Sequence, residues 1–157
     1  MSPRAAWRLE ALGFKPVYDY VAGKADWLAH GLPREGTNAA VLYAGDLLDT
    51  DPPTCRLGDS LSALRTTLET ARSGFLLVVN EERVVLGRVR RSVVVEDGEA
   101  DATAESLMEP GPSTVRPSTP AHELAEHLAQ RGLRAAVVTD PGGRLLGVFA
   151  RAIEDLQ

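Results

Sequence analysis

The stretch DLLDTDPPTCRLGDSLSALRTTLETARSGFLLVVNEERVVLGRVRR (46–91) recurs, sixty residues on, as SLMEPGPSTVRPSTPAHELAEHLAQRGLRAAVVTDPGGRLLGVFAR (106–151). The two align without a gap. Leu47 falls on Leu107, Pro52 on Pro112, Thr54 on Thr114, Arg56 on Arg116, Leu64 on Leu124, Leu68 on Leu128, Val78 on Val138 and Gly87 on Gly147. The matches are apolar or turn-forming positions in a shared order, the mark of one supersecondary unit used twice.

Each copy reads alike. A short apolar turn (46–48, 106–108) leads through a Pro-containing break to a brief extended piece, PTCRL (53–57) or STVRP (113–117). The apolar 3/4 spacing of 59–71 and 119–132 predicts amphipathic helices, with Leu61, Leu64 and Leu68 on one face, and Leu124 and Leu128 on the other copy's. Asp59 and Thr119 are the expected N-caps. FLLVV (75–79) and RAAVV (134–138) read as buried strands, followed by the turns NEER and DPGG and by second strands at 84–89 and 144–149. The order is β-α-β-β with a final helix expected, giving an α+β fold. Neither copy, at under sixty residues, is expected to bury enough core alone.

Hydrophobic residues make up 44% of the 157 residues and charged residues 25%, with a formal net charge of -5. An acidic chain repels phosphate backbones, so non-specific nucleic-acid binding is not expected. No apolar run approaches the ~20 residues that span a bilayer, and MSPRAAWRLEAL lacks a signal-peptide core; the expectation is a cytoplasmic protein without membrane contact. The one cysteine, Cys55, permits neither an internal disulfide nor a cysteine-rich metal site, and reads as a small buried residue.

The tandem units at 46–91 and 106–151 resemble cystathionine-β-synthase-type (CBS) domains, two of which form a Bateman module. The resemblance implies a CBS pair with repeats at 44–98 and 104–156, joined to a short α/β appendage at 1–36. It also implies adenosine-type ligands in clefts between the repeats, and a flat homodimer. In that family the last strand runs into G-h-h-[ST]-x-x-D, where h is apolar and the Asp holds the ribose hydroxyls. Here those Thr and Asp positions are Ala150 and Ile153 in the second copy, Arg90 and Val93 in the first. Apolar Val93 and Ile153 cannot accept from a hydroxyl. What remains for a ligand is Thr54 and Thr114 where the family's first strand enters the cleft, Arg134 at a strand start, and the group Arg88, Arg90 and Arg91. Arginine forks suit phosphate. Without a ligand, the same arginines would form a solvated face paired with Glu81, Glu82 or Glu96. An adenine nucleotide or S-adenosylmethionine is therefore the expected ligand class, bound weakly and through phosphates where it has them. The apolar faces of 59–71 and 119–132 are expected to support the dimer.

Residues 1–36 resemble the last third of a rhodanese domain. The family's helix after the catalytic loop matches at Ser2, Ala5, Ala6, Leu9 and Gly13-Phe14, and its terminal W-x-x-x-G-L-P at Trp27, Gly31, Leu32 and Pro33. A helix with Ser2 as N-cap, a strand at 17–21 and a short second helix are expected. The resemblance places the family's cysteine nucleophile before residue 1, so sulfurtransferase activity is not expected and the chain reads as a non-catalytic regulatory protein. Trp7, Tyr18, Tyr20 and Trp27 are expected to be buried against the pair or a partner protein. Two rivals stay open: a sulfurtransferase-related enzyme using Cys55, and an interaction module with no ligand.

Overall fold

The computed structural model describes residues 3–36, 40–71, 74–96 and 101–150. Ser2, Arg151 and Ile153 lie outside these. Two helices open the chain, α1 (Pro3–Ala11) and α2 (Gly23–Ala29). After a 3-10 turn at Ala44–Asp46 come β1 (Leu48–Asp49), β2 (Thr54–Cys55), α3 (Leu61–Thr70), β3 (Phe75–Val79), β4 (Val85–Arg90) and α4 (Arg91–Glu96). The second copy repeats this order with α5 (Ala104–Leu107), β5 (Glu109–Pro110), β6 (Thr114–Val115), α6 (Ala121–Gln130), β7 (Ala135–Thr139) and β8 (Leu145–Ala150).

The strands form two four-stranded sheets, ordered β2-β3-β4-β5 and β1-β8-β7-β6. The copies therefore exchange their opening segments. β1 pairs antiparallel with β8, and β5 pairs antiparallel with β4. The core follows the exchange. Ala104, Leu107 and Met108 pack with Leu64, Leu68, Leu76 and Val89 of the first copy, whereas Ala44 and Leu48 pack with Leu124, Leu128 and Phe149 of the second. Two glycines permit the close approach. A β-carbon on Gly147 would fall on the Asp49 carbonyl oxygen, and one on Gly87 would lie 2.9 Å from the Glu109 carbonyl oxygen. This is the physical content of the Gly87/Gly147 match in the repeat.

A third core lies between the sheets, where Leu77 and Val79 meet Val137, Leu145 and Val148. The hairpins dock there reciprocally: Val85 donates its N–H to the Gly143 carbonyl (3.1 Å) and Leu145 to the Arg83 carbonyl (2.8 Å). The Arg56/Arg116 match also has a cause. Arg56 donates to the Val79 carbonyl (3.1 Å) and Arg116 to the buried Thr139 hydroxyl (2.9 Å), each tying the segment after β2 or β6 to the end of the strand before the hairpin turn. Such bonds satisfy carbonyls and hydroxyls that burial would otherwise leave unpaired.

Several expectations are corrected. Helix α3 is capped by Ser60, whose Oγ accepts from the Ala63 N–H (3.5 Å); Asp59 instead accepts from the Arg56 N–H (2.9 Å). Helix α6 begins after Pro120, which takes the N-cap position and has no side-chain acceptor, while the Thr119 carbonyl accepts from the Ala44 N–H (2.7 Å). Segment 17–21 is not a strand, so the appendage is helical among the described residues; a strand needs a neighbour to receive its ladder bonds, and 17–21 pairs with neither sheet. Trp7 and Tyr18 are 67% and 82% exposed rather than buried. Tyr20 and Trp27 instead meet edge to face at 5.1 Å, with the Tyr20 hydroxyl donating to Asp26 (2.5 Å) and Trp27 Nε1 to the Pro33 carbonyl (2.9 Å). Arg34 ties the appendage to the pair: it bonds Asp46 (2.9 Å) and the Val41 carbonyl (3.1 Å) and, like Lys24, lies over the buried Tyr43 ring. The apolar stripes of α3 and α6 are buried within the chain, each in a core that both copies build.

Candidate functional site

The pairing register fixes which side chains share a sheet face. Cys55, Leu76, Val78 and Val89 point toward α3, in the first copy's core. The alternate residues point to the face between the copies. Thr54 pairs with Leu77, Leu77 with Arg88, and Arg88 with Glu109, so the four form one row across the sheet. Arg90, paired with Phe75, is next along β4 on the same face.

At the end of that row three charged groups meet. Arg88 Nε donates to one Glu109 oxygen at 2.7 Å, and Arg90 Nε contacts the other at 2.9 Å. The bond from Arg88, with further attraction from both arginines, holds the Glu109 carboxyl below the usual carboxylate range. Two guanidiniums against one carboxylate leave the cluster with a net positive charge in an acidic chain. The second copy's equivalent row is Thr114, Val137, Val148 and Asp49. Val148 and Ala150 stand where Arg88 and Arg90 stand, so the two faces differ in charge although they share a fold.

Of the residues singled out from the sequence, the structure thus brings together Thr54, Arg88 and Arg90. Thr54 is half-buried; Thr114 is exposed, on the row without arginines. Arg91 turns away: it donates to the Leu68 and Ala71 carbonyls at the end of α3, where a cation complements the helix C-terminus. Arg134 is exposed just before β7, and among the described residues no hydrogen bond or ion pair joins it to the arginine fork. Val93, at the expected ribose-Asp position, is half-buried in α4. Pairing with Glu81, Glu82 or Glu96 presumes a self-contained copy, whereas Glu109, which sequence reasoning does not single out, arrives on the exchanged strand β5. Its signal was the acidic residue that follows the opening turn in both copies, Asp49 and Glu109.

Cys55 is 5% exposed, and burial, with the nearby Asp59 charge, pushes its thiol up to about 12. A nucleophilic cysteine needs the opposite shift. Hollows of about 260 and 220 Å³ lie beside α2, bordered by Leu28, Pro33 and Arg34, and neither touches the charged row. Among the described residues no group of three or more His, Cys, Asp or Glu could hold a metal ion, and no helix is long and apolar enough to cross a membrane.

Residues 104–152 match the family model described as CBS domain. No curated protein matches the chain. Three solved structures are similar to it. The cytosolic domain of the Mg2+ channel MgtE in complex with ATP is 23% identical, with a TM-score of 0.61, over 71% of this chain and 48% of that one. CBSX2 in complex with AMP is 20% identical, with a TM-score of 0.61, over 70% and 90% of the two chains; CBSX2 is a CBS-pair protein of Arabidopsis thaliana. The CBS domain pair of protein MJ0100, in complex with 5-methylthioadenosine and S-adenosyl-L-methionine, is 17% identical, with a TM-score of 0.59, over 71% and 90%. The chain spans about half the length of the channel domain. At these identities the likeness is one of fold. Residues 104–152 are thus matched as a CBS domain, and the chain has the mixed α+β fold of a CBS pair.

Proposed function

We propose that this protein is a non-catalytic regulatory module that senses a phosphate-bearing adenosine ligand on the face between its two copies. The observation that carries the reading is the fork of Arg88 and Arg90 beside Thr54 on that face. Support comes from the structural neighbours, which hold ATP, AMP or S-adenosylmethionine on the same fold. The apolar residue at the ribose position, Val93, shifts recognition from sugar to phosphate. Each hydroxyl bond left unmade costs about 1 kcal/mol, while arginine–phosphate contacts are charge-assisted and stronger.

Titration calorimetry with ATP, ADP, AMP and adenosine tests the reading. Affinity should fall in that order, and raising the salt concentration should compress the differences, because exposed charges are screened. Adenosine binding as tightly as ATP, or no heat with any of the four, would overturn it. The buried, proton-retaining Cys55 supports the non-catalytic part of the proposal.

A further inference from the structure

Glu109 sits where an anionic ligand of the fork would sit. Its backbone is fixed by the β4–β5 ladder, with Pro110 opposite Gly87 and the Gly111 N–H donating to the Leu86 carbonyl (3.0 Å). Its side chain is not enclosed: 44% of it is exposed, beside 33% for Arg88 and 51% for Arg90. Rotation about its own side-chain bonds is enough to release the arginines, with no movement of the sheet. The two carboxylate oxygens take one guanidinium each, which is how two oxygens of a phosphate would bridge the same pair. The fold does not demand this trio. At the equivalent places stand Asp49, Val148 and Ala150, and β1 pairs with β8 there.

We propose that Glu109 is a built-in occupant of the anion site, holding the Arg88–Arg90 fork closed until a ligand phosphate displaces it. The inference rests on the reading that the fork takes the ligand's phosphate, and deepens it by naming the charge the ligand must carry. A monoanion replacing Glu109 would exchange one negative charge for another. A dianionic terminal phosphate balances both guanidiniums and gains over the carboxylate it expels. The site should therefore favour terminal phosphates over singly charged phosphodiesters or carboxylates.

The test is calorimetric titration of inorganic pyrophosphate, and of adenosine alongside it, at low salt into the wild type, Glu109→Gln, Glu109→Ala, Arg88→Ala, and Arg88→Ala combined with Glu109→Gln, each shown to be folded by circular dichroism. Exposed ion pairs are weak, so freeing the fork should tighten binding about three- to tenfold in both Glu109 single variants. The double variant should lose that gain. If both single variants bind no tighter than wild type while Arg88→Ala alone abolishes binding, Glu109 is not the occupant and the phosphate site survives. If no folded variant binds pyrophosphate while adenosine still binds, both the inference and the reading beneath it fail.

Discussion

Replacing Gly147 with alanine should break the exchange on which both cores depend. The new β-carbon would collide with the Asp49 carbonyl oxygen and lie 3.0 Å from Leu48 Cβ, and the first of these is backbone that cannot rotate aside. Either β1 leaves β8, uncovering Leu48 and the Phe149 side of the core, or the sheet shifts to admit it. Overpacking of this kind costs about 1–3 kcal/mol. For a chain of this size each kcal/mol moves the melting point about 2–4 °C, so a fall of roughly 2–12 °C is expected. Gly87→Ala should cost less, because the backbone atom closest to its would-be β-carbon, the Glu109 carbonyl oxygen, lies at 2.9 Å, farther than the Asp49 oxygen does at Gly147, and the nearer Met108 sulfur at 2.7 Å belongs to a flexible side chain. Gly58→Ala is the control: nothing lies within 4 Å of its would-be β-carbon and its φ is not left-handed. That variant should match the wild type or gain about 0.4–1 kcal/mol from a stiffer unfolded chain. Urea titration of the three variants decides it. Equal midpoints for Gly147→Ala and Gly58→Ala would refute the exchange as described.

Other outcomes are expected. The Cys55 thiol should resist iodoacetamide at pH 8 in the folded protein and react fully once urea unfolds it, since it is buried with a thiol pushed up to about 12. Because the Glu109 carboxyl is held below its ordinary range, its contribution to stability should be present above the unfolded carboxylate range and be lost as pH falls through the lowered folded value; Glu109→Gln should flatten that acid limb in thermal melts. Arg83 has φ +62°, where the other copy has Gly143 at +82°. A side chain in that region costs about 1–2 kcal/mol, partly offset by glycine's greater unfolded freedom, so Arg83→Gly should raise stability by up to about 1 kcal/mol in urea.

Much of the fold was legible because it is written as periodicity. Leu61, Leu64 and Leu68 recur at helical spacing and are buried together, and FLLVV reads as a buried strand because four of its five residues are. The exchange was not legible. Segments 46–49 and 106–110 look like the start of their own copies, and nothing local in a two-residue strand says which sheet it will join. That choice is made by the space over Gly87 and Gly147, which exists only once the sheets have formed. The candidate site was half legible for the same reason. Arg88 and Arg90 alternate with Val89 on β4, so they share a face by the period of a strand. Their partner Glu109 lies nineteen residues beyond Arg90 in sequence and reaches them only through the exchanged strand. The strand expected at 17–21 fails for another reason: VYDYV has strand composition but joins neither sheet, and composition alone supplies no ladder partner.

The central claim is that a ligand's phosphate meets the row bearing Arg88 and Arg90 and not its counterpart without arginines. The most direct measurement is an amide nitrogen–proton NMR titration of the full chain with ATP, since the copies give separate signals for equivalent positions. The largest shifts should fall on Thr54, Leu77, Arg88, Arg90 and Glu109, with Thr114, Val137, Val148, Ala150 and Asp49 little changed. Shifts centred on the second set, or spread equally over both, would contradict the account.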